Sequence, residues 1–246
     1  VGNRALTANT TGDENVAVGR NALTANTTGI RNTAVGHGVL NSCTTGTYNT
    51  GVGRAVMDDL TTGTENTGMG NFALGETNTG SYNSAFGGSA MADNTTGQRN
   101  TAMGHLALAD NTTASDNTAF GSQALRLNTS GYDNVAVGYL SGHQNTSGDG
   151  NTSIGSNAMR YGNVANSTAV GAYAMGSGTL SGGANTTVGR QSMQYLTSGE
   201  GNVAMGFVAG RNITSGDGNV VIGRAAGNTL TTGTQNIIIG KGTDVL

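Results

Sequence analysis

The sequence predicts an all-β chain that winds into a parallel β-solenoid of about fourteen coils, each 17 residues long. Three observations support this fold class. A glycine returns every 17 residues along almost the whole chain, which is the sequence signature of a solenoid or array. Small and large apolar residues alternate just before that glycine, with the period of two that a strand requires. The composition, with 43 glycines and neither proline nor tryptophan, excludes an ordinary globular core of large side chains.

The recurring residue, which we call the strand glycine, sets the register of the repeat. It stands at Gly2, Gly19, Gly36, Gly53, Gly70, Gly87, Gly104, Gly121, Gly138, Gly155, Gly171, Gly189, Gly206, Gly223 and Gly240. The step from Gly155 to Gly171 is one residue short, and the step to Gly189 is one residue long, after which the regular spacing resumes. No linker is visible, so the sequence predicts a single repeat domain over residues 1–246 with irregular coils around 155–189.

Each coil opens with a figure such as Asn32-Thr33-Ala34-Val35-Gly36, which is typical of a short strand. Thr33 and Val35 should point to one side and Ala34 to the other. We expect the large residue, Val35 and its equivalents, to fill the core, and the small residue, Ala34, to let backbones approach closely. A second apolar column, which includes Leu23, predicts a second strand in every coil. A helical repeat is disfavoured because β-branched residues, Asn-Thr pairs and frequent glycines form helices poorly.

A turn follows the second apolar column and reads Thr27-Thr28-Gly29 in one of the coils. We expect its glycine to supply a positive φ. Asparagines open the strands and precede the turns, and stacking one coil apart should let their side chains hydrogen-bond in ladders. Where glycine replaces the large residue of the second column, at Gly210 and Gly227, the nearby Ile213 and Leu230 should refill the same core volume.

The apolar content of one coil is small. Its two or three large apolar residues represent roughly 4–8 kcal/mol of gross burial, whereas ordering costs about 1–2 kcal/mol for each of its residues. Hydrogen bonds between stacked coils add stability, but the core of a single chain remains thin. We therefore expect several chains to share one core.

The figure Asn-Thr-Ala-Val-Gly, followed by two variable residues and alanine, resembles the head repeat of YadA-like trimeric autotransporter adhesins. Units such as 209–216 followed by 219–223 are similar to repeats of phage tail fibres, and 231–240 resembles the last repeat before an intramolecular chaperone domain. The likeness covers the whole chain. It implies a left-handed parallel β-roll that forms a homotrimer on a cell or virion surface.

These expectations combine into a functional prediction. The chain should be a structural and adhesive segment of an extracellular trimeric fibre, either a phage tail fibre or a bacterial adhesin, that mediates attachment by many weak contacts. An ice-binding β-solenoid that uses threonine ladders is the alternative. Against it, adjacent threonines such as Thr27 and Thr28 are expected at a turn and not on a flat face. The expected partners are the other chains of the trimer and a surface glycan or receptor.

No catalytic, cofactor-binding or metal-binding residues are predicted. His37 and His105 share a column but lie four coils apart, roughly 19 Å at β spacing, and His143 occupies another column. The turns at Asp149 and Asp217 lack the partner carboxylates that a hard cation needs. The net charge of −3 is spread thinly without a basic stripe, so neither an enzyme nor a nucleic-acid binder is predicted. No apolar run is long enough to insert into a membrane.

Aromatic residues gather in and around the irregular coils, where the repeat pattern breaks. Exposed aromatic rings can stack on sugars or pack on a partner, so these residues form a candidate contact patch. Its members are Tyr139, Tyr161, Tyr173, Tyr195 and Phe207. The alternative interpretation is a tolerated slip of the repeat with tyrosines at variable positions.

Overall fold

The computed structural model describes residues 1–242 and is all-β, with fourteen short parallel strands in a β-solenoid. The chain divides into two compact units, Val1–Ser122 and Gln123–Leu246. Seven strands belong to each unit. The fold class and the repeat length predicted from the sequence are confirmed, because successive strands are spaced by one coil and pair in parallel.

The strands follow one another in space in the order of the chain within each unit. Unit 1 contains β1 (Val16–Val18), β2 (Thr33–His37), β3 (Thr50–Arg54), β4 (Thr67–Asn71), β5 (Ser84–Phe86), β6 (Thr101–Met103) and β7 (Thr118–Phe120). Unit 2 contains β8 (Val135–Val137), β9 (Thr152–Ile154), β10 (Thr168–Val170), β11 (Thr186–Val188), β12 (Val203–Met205), β13 (Val220–Ile222) and β14 (Ile237–Ile239). Equivalent residues lie opposite one another, as Ala34 does with Gly51 and Val35 with Val52.

The inward and outward sides of the strand are the reverse of those we expected. Ala34 is fully buried, whereas Val35 is partly exposed and Val18 is 44% exposed. The interior beside the strand is narrow, because side chains of the opposite segment already occupy it. A Cβ built on Gly51 would lie 2.5 Å from Cγ1 of Val39, so this coil has room only for glycine, and most other coils carry alanine at the same position. The large side chains of the strand must therefore point outward.

The second apolar column supplies the core, but it does not form the predicted second strand. Leu23 is fully buried and has a φ of 49°, and Asn21 two residues earlier has a φ of 58°. Such left-handed residues interrupt the extended backbone that a strand needs. The coils still stack through this segment, since the N–H of Leu23 donates to the carbonyl of Val39 at 3.0 Å.

Glycine fills one column without exception and most of a second column, for different reasons. Gly36 has a φ of 132°, and a Cβ built on it would overlap the carbonyl oxygen of Gly53 in the next coil. Gly29, in the Thr-Thr-Gly turn, does not have the positive φ that we expected. It is needed because a Cβ there would overlap the carbonyl oxygen of Gly46, and Arg31 adopts the left-handed conformation instead, with a φ of 57°.

The predicted asparagine ladder is confirmed at the start of the strands. The amide nitrogen of Asn49 donates to Oδ1 of Asn32 at 3.1 Å and to the carbonyl of Gly63 at 2.9 Å. The backbone N–H of Asn49 donates to the same Oδ1 at 2.9 Å. Each buried amide therefore joins two coils and also fixes the turn within its own coil, which satisfies polar groups that water cannot reach.

The expected refilling of the core is confirmed at Gly210. A Cβ built on this glycine would lie 2.8 Å from Cδ1 of Ile213, so the isoleucine occupies the space of the missing large side chain. At Gly227 the neighbouring strand residue is larger than in most coils. Val221 is fully buried, and its Cγ1 would lie 3.0 Å from a Cβ built on Gly227. Core volume is thus conserved by exchange between neighbouring positions.

The coil that is one residue short keeps its stacking through a change in its turn. Thr168 of β10 pairs with Thr152 of β9 and with Thr186 of β11, so the register changes by 16 and then by 18 residues. At the short coil, Oδ1 of Asn163 accepts hydrogen bonds from the backbone N–H groups of Thr146 at 3.1 Å and Ser147 at 2.9 Å. A side chain thereby takes the place of a missing backbone carbonyl.

Candidate functional site

The outward residues of the strands form a surface that we call the strand face. It consists of the third residue and the first residue before each strand glycine. The earlier of the two columns contains Val16, Thr33, Thr50, Thr67, Ser84, Thr101 and Thr118 in unit 1, and Val135, Thr152, Thr168, Thr186, Val203, Val220 and Ile237 in unit 2. The later one contains Val18, Val35, Val52, Met69, Phe86, Met103 and Phe120 in unit 1, and Val137, Ile154, Val170, Val188, Met205, Ile222 and Ile239 in unit 2.

The strand face is uncharged and unusually apolar for a surface exposed by a single chain. Phe120 in unit 1 is 51% exposed, and Met205 in unit 2 is 47% exposed. A contiguous apolar surface of this kind marks an interaction site in soluble proteins more often than isolated exposed residues do. Within each unit, the strand face is therefore a candidate site for a partner.

A second surface, which we call the loop face, contains the first, second, fifth and sixth residues after each strand glycine. The third and fourth residues between them are buried, as Val56 and Met57 are. Contacts in both units join the columns into one surface. In unit 1 the Cβ position of Gly38 lies 3.6 Å from Oδ1 of Asp58. In unit 2 the guanidinium of Arg160 donates to Oδ1 of Asn157 at 3.3 Å.

The loop face of unit 1 carries a column of carboxylates that the sequence analysis missed. Its members are Asp58, Asp59, Glu76, Asp93 and Asp110, all at the fifth or sixth residue after a strand glycine. The conclusion that charge is spread thinly is therefore wrong for this surface. The signal was present in the sequence, since Asp59, Glu76, Asp93 and Asp110 are spaced by the 17-residue period. In a parallel solenoid that spacing stacks like charges about 4.8 Å apart.

The electrostatics of the carboxylate column are unfavourable to ionisation. Partial burial raises the pKa of Asp93, and the neighbouring carboxylates of Glu76 and Asp110 raise it further. Partial burial also raises the pKa of Asp58, with a contribution from Asp59. Several of these residues, together with Phe72, line a cleft of about 240 Å³.

The loop face of unit 2 carries the opposite charge. The six basic residues of this unit all fall at the first or fifth residue after a strand glycine: Arg126, Arg160, Arg190, Arg211, Arg224 and Lys241. No acidic residue occupies the loop face of unit 2 up to residue 242. The four acidic residues of unit 2 in that range lie five or six residues before a strand glycine, on a separate turn.

Most of these cations lie against aromatic rings. Arg160 lies over the ring of Tyr161 at 5.0 Å from the centroid. Arg211 lies over Tyr195 at 5.2 Å and donates from Nη2 to the Tyr195 hydroxyl at 3.0 Å. Such cation–π pairs hold each guanidinium beside its ring while leaving the charge at the surface.

Phe207 stands between two cations. Arg190 lies 5.9 Å and Arg224 6.0 Å from its ring centroid. All three side chains are exposed and belong to three successive coils. The two guanidiniums are therefore about 10 Å apart along the stack of coils.

The candidate contact patch thus falls entirely on the loop face of unit 2. Tyr139 and Phe207 are first residues after a strand glycine, Tyr173 is a second residue, and Tyr161 and Tyr195 are sixth residues. Tyr161 is half-buried and the other four are exposed. The five residues are distributed over several coils and do not form one compact cluster. The sequence analysis missed the arginines that accompany three of them.

Unit 1 pairs two of its arginines with acids on another turn, five residues before the strand glycines. Arg31 contacts Glu14 at 2.6 Å and Tyr48 through its hydroxyl, and Arg99 contacts Asp116 at 2.6 Å. The Arg99 guanidinium lowers the pKa of Asp116. These are the two ion pairs found among residues 1–242. The cations on the loop face of unit 2 therefore have no carboxylate partner within that range.

The remaining candidates for chemistry have structural roles or no cluster around them. Oδ1 of Asp149 accepts from the N–H of Tyr132 at 3.0 Å, and Oδ1 of Asp217 accepts from the N–H of Glu200 at 2.8 Å, so both acids stabilise turns. Burial raises the pKa of the Cys43 thiol to about 11. In the described part of the chain, no three His, Cys, Asp or Glu side chains are grouped to hold a metal ion. Residues 1–242 also contain no helix with the length and apolarity to cross a membrane.

Comparison of the chain with protein-family models, curated proteins and solved structures finds no match in any of the three. The strand face and the loop face are therefore the features of the molecule that bear on its function. The strand face is uncharged and carries an apolar column in both units, whereas the loop face differs in charge between them.

Proposed function

We propose that this chain is a structural and adhesive segment of a homotrimeric surface fibre, built as a left-handed β-roll. The fibre would be extracellular, as part of a phage tail fibre or a bacterial adhesin, and would mediate attachment to a host or surface. The strand face is the observation that carries the proposal. Its exposed apolar columns need a partner, and a second and third copy of the chain would supply identical surfaces in matching register.

The dimensions of the strand face support this assignment. Seven strands spaced about 4.8 Å apart, each roughly 10 Å long, give each unit on the order of 350 Å² of outward-facing sheet. A stable interface needs about 800 Å² from each partner, so one unit would supply close to half of that area. Sheets that pack face to face bury such columns well, because neutral side chains lose no charge hydration on contact.

A trimer would also remedy the thin core of the single coil. In most coils the interior beside the strand holds only alanine or glycine, while residues such as Met103 remain outside. Burying those outward side chains between chains adds apolar area without changing the coil. The resulting trimer would have a repetitive surface, and three copies of each surface site would bind a repetitive target by avidity.

The test is the mass of the purified chain at micromolar concentration, measured by light scattering. We expect three times the chain mass of 24.5 kDa. Met103→Glu and Met205→Glu should each shift the protein toward monomer while preserving its circular dichroism, because both side chains are exposed in the single chain. Tyr132→Glu, an exposed site off the strand face, serves as the matched control and should remain trimeric. A monomeric wild-type protein would refute the proposal.

One feature of the strand face supports the ice-binding alternative. Thr33, Thr50 and Thr67 do point outward in register, on a sheet and not only at a turn. The adjacent column weakens the alternative, because it mixes valine, methionine and phenylalanine and so lacks one regular spacing of atoms. Thermal hysteresis of the purified protein decides the question: a clear gap between melting and freezing temperatures supports ice binding, and no gap removes it.

A further inference from the structure

We infer that the loop face of unit 2 is a binding site for an acidic polysaccharide, one whose sugars bear carboxylate groups. This inference deepens the proposed function, since it names the ligand class and the surface that an attachment fibre of this kind would use. It rests on the positions of the cations, on the rings beside them and on the polar groups between them.

The charge of the surface selects an anionic ligand. All six cations of unit 2 lie on its loop face, and none of them has a carboxylate within ion-pair distance in residues 1–242. Arg190 and Arg224 are exposed and separated by two coils, roughly 10 Å. A guanidinium offers a planar pair of donors that matches a carboxylate, so a row of them suits a polymer with regularly placed carboxylates.

The rings add a surface for the sugar itself. Tyr195 and Phe207 are exposed, and guanidiniums lie against both of them. An aromatic ring with an accessible part can pack on the apolar face of a pyranose, while the adjacent cation meets its acidic group. Tyr161, two coils away from Tyr195, also has a cation over its ring, in this case the adjacent Arg160 of its own coil.

Neutral hydrogen-bonding groups fill the space between the two tyrosines. Ser177, in the intervening coil, is exposed, and its hydroxyl accepts from Nε2 of Gln194 at 3.0 Å. Oε1 of Gln194 in turn accepts from Nε of Arg211 at 2.9 Å. This network fixes Arg211 beside Tyr195 and leaves a hydroxyl at the surface, where it can donate to or accept from the hydroxyls of a sugar.

A nucleic acid fits the molecule less well. Nucleic-acid-binding proteins usually carry a strongly basic balance, whereas this chain has a net charge of −3. A polymer with fewer charges per length, and with sugar rings to stack, matches the alternation of cations and aromatic rings better.

The experiment is calorimetric titration of the full chain with oligogalacturonate, with its neutral methyl ester and with single-stranded DNA of similar length. We expect binding of oligogalacturonate that weakens as salt is raised, and little binding of the ester. The paired variants Arg190→Ala/Arg224→Ala and Tyr195→Ala/Arg211→Ala should each weaken binding about tenfold, as loss of charge-assisted and ring contacts predicts.

Two control variants distinguish a defined binding site from general electrostatic attraction of the polysaccharide to the protein. Arg20→Ala removes an exposed arginine at the equivalent coil position of unit 1, and Tyr132→Ala removes an exposed tyrosine of unit 2 off the loop face. Both should bind as the wild type does. An equal loss in Arg20→Ala, tighter binding of DNA, or no binding of oligogalacturonate would each overturn the inference. A trimer that does not bind oligogalacturonate refutes this inference alone, and a monomer that binds it refutes only the trimeric fibre.

Discussion

The loop faces of the two units carry opposite net charges, although the coils of both units have the same backbone. At the fifth and sixth residues after the strand glycines, unit 1 places five carboxylates and no cation, whereas unit 2 places three arginines and two tyrosines and no carboxylate. The backbone at these positions is alike in both units, with left-handed residues such as Met57 and Met193 just before them. The inward residues and the glycines therefore determine the fold, and the surface charge can change without altering the fold.

The units also differ in how many of their cations are paired with acids, although one arginine of unit 1, Arg54, lies over an aromatic ring as well. Arg31 and Arg99 in unit 1 are paired with acids of a neighbouring coil. Arg190 and Arg224 in unit 2 lie against a ring and keep their charge accessible. Exposed ion pairs contribute little to stability, so neither arrangement is needed to hold the coil together. We interpret the unpaired cations of unit 2 as functional, and substitutions at matched positions of the two units test this difference.

The largest expected effects are at the strand glycines, if both units share one backbone. Gly36→Ala in unit 1 and Gly206→Ala in unit 2 should each destabilise the protein by more than about 3 kcal/mol, because a Cβ would overlap the next coil and φ is positive. Chemical unfolding followed by circular dichroism measures this. Gly201→Ala is the control, since its Cβ would meet nothing within 4 Å, and it should cost about 1–2 kcal/mol.

A strong effect in one unit only would show that the two backbones are not equivalent in stability, and the comparison between the loop faces would then lose its basis. Equal effects in both units would confine the difference to the surface.

Intermediate effects are expected at the asparagine ladder. Asn49→Ala in unit 1 and Asn202→Ala in unit 2 each remove a fully buried amide that bonds to the preceding coil and to a turn carbonyl. Because the abandoned partners stay buried, each substitution should cost about 2–4 kcal/mol in unfolding experiments. Asn3→Ala, at an exposed position, should change stability by less than about 0.5 kcal/mol. A loss below 1 kcal/mol at both ladder sites would contradict a structural role for the ladder.

The sequence alone was sufficient for the solenoid, its repeat length and its ladders, because glycine spacing and polar columns repeat in register. It misassigned the faces of the strand. Alternation places Ala34 and Val35 on opposite sides but cannot say which side is inside, and the answer depends on how much space Leu23 and Val39 leave. The prediction of a second strand was also wrong, since no residue type in this segment indicates the left-handed conformation of Leu23.

The charged surfaces were missed for a different reason. Asp59 and Glu76 are far apart in the sequence and become neighbours only when the coils stack, so a count of charged residues hides them. Reading the chain column by column for charge, as was done for apolar residues, would have found them. The pairing of Arg211 with Tyr195 links different columns of adjacent coils, and that contact requires the structure.

The smallest expected effect is on pH dependence, and it tests the acidic surface of unit 1. Burial and neighbouring carboxylates raise the pKa of Asp93, so the folded chain binds a proton there more readily than the unfolded chain does. Stability should therefore rise as the pH falls from neutral toward the ordinary aspartate pKa, and this gain is lost again as the pH increases through the raised value. Asp93→Asn should stabilise the protein at neutral pH by less than about 1 kcal/mol and flatten this dependence.

Asp116 supplies the matched control for that prediction, because Arg99 lowers its pKa and the sign is reversed. Its stabilising contribution is present above the ordinary aspartate pKa and disappears as the pH falls through the lowered value, so Asp116→Asn should slightly destabilise the protein at neutral pH. Thermal unfolding of the two variants between acidic and neutral pH measures both effects. If Asp93→Asn destabilises the protein at neutral pH, the carboxylates of unit 1 are held by a favourable partner, and the contrast between a repulsive acidic surface and an accessible basic one fails.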